Sequence, residues 1–136
     1  MYMEQLNDHH QKLWEFIHDL QKYKTEAETA SHAKEISSII SKLSGILSIH
    51  LAAEDQYLYP ALQKDANPVI QQTATKFSQE MGTLAKTYKA YRDKFMLASQ
   101  IEANPSLFQK ETAVILTALT ERLQKEDTAL YPLIKE

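Results

Sequence analysis

The sequence predicts an all-α protein: an antiparallel up-down four-helix bundle built by internal duplication of a helical hairpin. Three observations carry this prediction. Only 2 Gly and 4 Pro occur in 136 residues, whereas a β-sandwich or barrel needs a turn signal about every 8–12 positions. Between these breakers, apolar residues recur at the 3–4 spacing of one helix face. The two halves of the chain also echo each other. A chain of this length is expected to form a single domain, residues 1–136, with hairpin repeats at about 1–63 and 67–136.

The breakers divide the chain into four segments, roughly 3–28, 31–62, 68–102 and 106–134. The first carries the stripe Leu6, His10, Leu13, Ile17 and Leu20. A polar stretch from Thr25 to His32 ends it, with Thr29 or Ser31 as the cap of the next helix. The second stripe runs Ile36, Ile40, Leu43, Leu47, His50, Glu54 and Leu58, and Tyr59-Pro60 lies near its end. Asn67-Pro68, a capping residue followed by Pro at the first helical position, starts the third segment. Its stripe is Phe77, Met81, Leu84, Tyr88, Tyr91 and Phe95. Asn104-Pro105-Ser106 restarts the chain for the fourth, with Leu116, Leu119, Arg122, Leu123, Glu126 and Leu130 inward and Tyr131-Pro132 near its close. Short connections make consecutive helices antiparallel neighbours.

The composition excludes several classes of function. The formal net charge is −3, which gives no electrostatic case for nucleic acid or an anionic membrane. Without Cys there is no disulfide, thiolate zinc site or thiol catalysis. Glu4, Asp8, His9, His10, Glu15 and Asp19 leave no room for the apolar core of a signal peptide in the first twenty residues. No uninterrupted apolar stretch is long enough to span a bilayer, so a cytoplasmic location is expected. There is no Gly-rich phosphate loop, Gly-x-Ser-x-Gly elbow or Cys nucleophile. A non-enzyme is therefore expected; a metal-dependent oxidase would need an open coordination position.

The repeat directs attention to the polar residues on the inward stripes. Residues 50–60, His-Leu-Ala-Ala-Glu-Asp-Gln-Tyr-Leu-Tyr-Pro, match residues 122–132, Arg-Leu-Gln-Lys-Glu-Asp-Thr-Ala-Leu-Tyr-Pro, at six of eleven positions. At an offset of 71, Leu6, His10 and Leu13 correspond to Phe77, Met81 and Leu84. A pseudo-two-fold bundle then brings His10, His50, Glu54, Met81, Arg122 and Glu126 to one centre. Charged residues are rarely buried without partners. His50 and Glu54, four apart on one face, can grip one cation, with His10 and Glu126 as third and fourth ligands. The plainer reading is a core stitched by hydrogen bonds. The Leu6/Leu13 spacing favours His10 over His9 as the inward residue, and His18 and His32 are expected at the surface.

These residues resemble the hemerythrin-like, or HHE cation-binding, family over essentially the whole chain. The carriers are His50-x-x-x-Glu54-Asp55-x-x-Leu58-Tyr59-Pro60, its echo Glu126-Asp127-x-x-Leu130-Tyr131-Pro132, and Leu6-x-x-x-His10-x-x-Leu13. The resemblance implies a four-helix bundle that usually holds two carboxylate-bridged irons for dioxygen, nitric oxide or iron sensing. It places His10, His50, Glu54 and Glu126 at ligand positions and calls for His where this chain has Met81 and Arg122. A thioether suits such irons poorly, and a guanidinium cannot ligate. Three outcomes follow: a paired-metal centre, a site for one iron or zinc ion, or a metal-free core in which Arg122 supplies the positive charge. Metal or a small diatomic ligand is the expected partner in the first two. An interaction surface, including self-association as a homo-oligomer, is expected in the last.

Overall fold

The computed structural model describes residues 2–134, and every regular element among them is helical. Four long helices dominate: α1 (Tyr2–Gln21), α3 (Ala33–Ala53), α5 (Pro68–Phe95) and α7 (Pro105–Lys125). Three short ones, α2 (Glu26–Ser31), α4 (Tyr59–Gln63) and α6 (Ala98–Ala103), lie between them. α1 packs on α3, α5 packs on α7, and lesser contacts join α3 to α5 and α1 to α7.

Two boundaries differ from the sequence expectation. α1 stops at Gln21, and the next cap is Thr25 rather than Thr29 or Ser31. The Glu28 N–H donates to Thr25 Oγ1 at 3.1 Å and the Thr25 N–H to Glu28 Oε1 at 3.2 Å, a reciprocal capping box that starts α2. The third segment breaks at Met96–Leu97, where Leu97 is extended. The Ser37 hydroxyl donates to the Met96 carbonyl there, and the break lets both Phe95 and Ile101 reach the core. The two Asn-Pro starts behave as expected. Asn67 and Asn104 accept from the Val69 and Leu107 N–H groups, with Pro68 and Pro105 leading their helices.

Pro60 does not end its helix, whereas Pro132 lies in a closing 3-10 turn, Tyr131–Leu133. Each follows one wide π-helical turn, Glu54–Leu58 and Glu126–Leu130. In these turns the Tyr59 and Tyr131 N–H groups reach back five residues to the Glu54 and Glu126 carbonyls. Proline lacks an N–H, and its ring presses on the carbonyl four residues earlier, so the helix widens there. The extra residue resets the inward phase. After Glu54 the buried positions are Leu58, Tyr59 and Leu62, while Tyr57 faces solvent.

The inward stripes separate the apolar core into two clusters. The larger contains Leu13, Ile40, Leu47, Tyr91, Phe95, Phe108 and Leu123; the smaller contains Leu6, Leu58, Tyr59, Leu62, Ala74, Leu130 and Tyr131. Along α1, His10 lies between a residue of each cluster, and His50 with Glu54 and Glu126 do the same on their helices. A buried polar layer thus crosses the core. By length and composition, Ala33–Gln63 is also apolar enough to cross a membrane, which a search for uninterrupted apolar residues does not register. In the structure its Ile36, Ile40, Leu43 and Leu47 are buried against the other helices.

Candidate metal centre

The four residues expected as ligands come together in the polar layer. His10 projects from α1, His50 from the last turn of α3, and Glu54 and Glu126 open the two π turns. All four are buried, and one donor atom from each lies within 4.8 Å of the others. His10 Nε2 is 2.9 Å from Glu126 Oε1 and 3.2 Å from His50 Nε2. His50 Nε2 is 3.1 Å from Glu126 Oε1 and 3.2 Å from Glu54 Oε2. His18 and His32 are exposed, and His9 is half-buried at the edge of the layer.

Met81 and Arg122 are buried as well. Arg122 engages the other oxygen of Glu126: its Nε donates to Oε2 at 3.2 Å. Its Nη2 donates to the Tyr59 hydroxyl at 2.8 Å and the Phe77 carbonyl at 2.9 Å, and the guanidinium stacks 4.6 Å from the Phe77 ring centre. Glu126 therefore divides its carboxylate between a fixed cation and two imidazoles.

Residues 2–134 match the hemerythrin HHE cation binding domain. The chain belongs to the hemerythrin HHE family. Neither a curated protein nor a solved structure matches it.

The electrostatics of this HHE domain show what its donors require. Burial alone would lower the His50 pKa, but hydrogen bonds to Glu126 and Glu54, with their charges, raise it to about 9. Burial pushes Glu126 up, yet the His10 and His50 contacts outweigh that and hold it well below the usual carboxylate range. Glu54 moves the opposite way, raised by burial and by the charge of Glu126. The two carboxylates thus share the layer unequally.

His10 supplies the test of fit to a metal. Its Nε2 faces Glu126 Oε1 at 2.9 Å, and its Nδ1 lies 3.0 Å from Asp127 Oδ1. The second contact is an ion-pair distance, but the ring nitrogen is not aligned for a hydrogen bond. A neutral imidazole carries only one N–H, so it can satisfy only one of these carboxylates. A cation at Nε2 would relieve the conflict, leaving Nδ1–H for Asp127, as carboxylates behind a metal site orient its histidines. The two nitrogens and two carboxylates fit iron or zinc. On the other histidine, His50 Nδ1 is 3.3 Å from His9 Nδ1. Burial and the neighbouring His50 charge lower the His9 pKa, which suits it to accept that hydrogen bond.

Sequence reasoning missed the tyrosines as members of the site. The Tyr131 hydroxyl donates to Glu54 Oε2 at 2.8 Å and lies 2.9 Å from His10 Nε2. It is also 3.2 Å from Glu126 Oε1 and 3.3 Å from His50 Nε2. The Tyr59 hydroxyl accepts from Arg122 and reaches Glu54 Oε1 at 3.5 Å. Burial first, and the two carboxylates after it, push the Tyr131 hydroxyl far above its ordinary pKa, so it is protonated in the metal-free protein. A signal was present: Leu-Tyr-Pro is identical in both repeats. An ideal α-helix, however, turns a residue five positions after Glu54 or Glu126 off their face.

Proposed function

We propose that this protein binds a single metal ion, iron or zinc, through His10, His50, Glu54 and Glu126, and serves to bind or sense metal or a small diatomic ligand. The observation that carries this reading is His10 set between two carboxylates that one neutral imidazole cannot satisfy. Family membership supports the metal class. The limit of one ion rests on Arg122 and Met81, which occupy the two positions where the paired-iron pattern calls for histidine. The four long helices, with a π turn at the same place in each half, support an antiparallel up-down bundle arising from a duplicated hairpin. A groove of about 300 Å³ between α5 and α7, lined by Thr83, Leu84, Thr87, Ala118 and Arg122, offers a small ligand an approach to the edge of the layer.

Elemental analysis of untagged protein, purified without chelator, tests the reading. About one iron or zinc per chain is expected in the wild type and none in a folded His50→Ala variant, since deleting a ligand removes much of the affinity. A variant that kept a full equivalent would refute the ligand set.

A second reading, a metal-free interaction or structural module in which Arg122 replaces metal charge, is favoured by the hydrogen bonds of Arg122 to Glu126, Tyr59 and Phe77. It predicts that a chelator leaves the melting temperature unchanged. A bound ion instead contributes stability by linkage, about 2.7 kcal/mol when free metal exceeds its Kd a hundredfold.

A further inference from the structure

We propose that Tyr131 is a fifth protein ligand of the metal, its phenol oxygen binding as phenolate beside the two histidines and two glutamates. This rests on the single-ion reading above. The Tyr131 hydroxyl lies 2.8–3.3 Å from one donor atom of each of the other four residues. Ligand atoms about 2.1 Å from one ion and at right angles to each other are about 3.0 Å apart. The hydroxyl therefore stands from the other donors as neighbouring ligands stand from one another. A tyrosine that merely capped one glutamate would approach one carboxylate and leave the histidines alone.

The position is built by the backbone. Tyr131 is the residue that the π turn swings onto the face of Glu126, and its N–H bonds to the Glu126 carbonyl. Its ring is buried, tilted against His10 with centroids 5.0 Å apart. Tyr59, its counterpart in the first repeat, takes a different role. Its hydroxyl accepts from Arg122 and touches only Glu54 among the four ligands. The pseudo-symmetry thus supplies two tyrosines, and Arg122 diverts one of them.

Charge points the same way. Glu54 and Glu126 bring two negative charges and Arg122 one positive, so a divalent ion would leave a buried excess of one positive charge. A phenolate cancels it, and buried charge is strongly disfavoured unless compensated. On coordination the O–H bond breaks, an O–metal bond forms, and the proton leaves to solvent; no electron moves.

The test adds zinc to the apo full-length chain, because zinc is redox-silent and colourless and leaves the near-ultraviolet tyrosinate absorbance unobscured. The expected result is a tyrosinate band that saturates at one zinc per chain. In Tyr131→Phe the band should vanish while zinc still binds, about tenfold or more weakly. In Tyr59→Phe it should persist. One zinc bound by the wild type without the band overturns the assignment and leaves the single-ion site standing. No zinc bound at all overturns both. Should Tyr131→Phe not fold, Tyr59→Phe carries the test: a band that it abolishes belongs to Tyr59 and refutes the assignment to Tyr131.

Discussion

In the proposed site, His50 is the residue at which protons and metal would compete. Its pKa, raised from an ordinary 6.5 to about 9, keeps the metal-free imidazole charged at neutral pH. A group whose pKa rises on folding contributes stability that is fully present below its unfolded value and lost as pH climbs through the folded one. The metal-free protein is therefore expected to lose stability between about pH 6.5 and 9. Metal affinity should move the opposite way across that window, because the ion needs the Nε2 lone pair that the proton holds. Denaturant titrations with and without zinc at several pH values check both signs; parallel curves would refute the competition. The four donors were legible in the sequence because charged residues stood where leucines belonged. Asp127 and His9 were not, since each acts across helices on the outer nitrogen of a ligand, a relation that spacing along one helix does not encode.

At the scale of the element, the two π turns matter most. Four stripes at 3–4 spacing were enough to locate the long helices, and the Asn-Pro caps were enough to start two of them. The capping box at Thr25 is equally readable, as Thr25-x-x-Glu28, though Thr29 and Ser31 lie nearer the next apolar run. The π turns lie beyond periodicity, because one inserted residue shifts the phase without breaking the helix. Inserting one alanine after the exposed Gln56 adds a residue that the single π turn does not absorb, and should rotate all that follows by about 100°. Leu58, Tyr59 and Leu62 would each forfeit burial worth about 1.5–3 kcal/mol. The expected outcome is a loss of at least about 3 kcal/mol, read as a lower denaturation midpoint; unchanged stability would show that the phase set by the turn is not needed to aim these side chains.

For the whole molecule, the consequence lies in the division of the core. Seven buried residues form the smaller cluster, and the polar layer separates them from the larger one. With metal bound, the layer ties helices α1, α3 and α7 together; without it, the small cluster must hold its end largely alone. Amide hydrogen exchange should then quicken selectively on removing metal, around Leu6, Leu58–Leu62 and Leu130–Leu133, and hardly at all around Phe95 and Phe108. Uniform acceleration would mean that the molecule opens as one unit.

Met3 near the start of the described chain, Ile134 at its close and Ile70 just past the midpoint all pack against that same small cluster. An ion held among five side chains would thus decide how firmly three remote stretches of sequence are fastened at one end. A partner that recognises that end would distinguish loaded from empty protein without touching the metal, reading occupancy as stiffness.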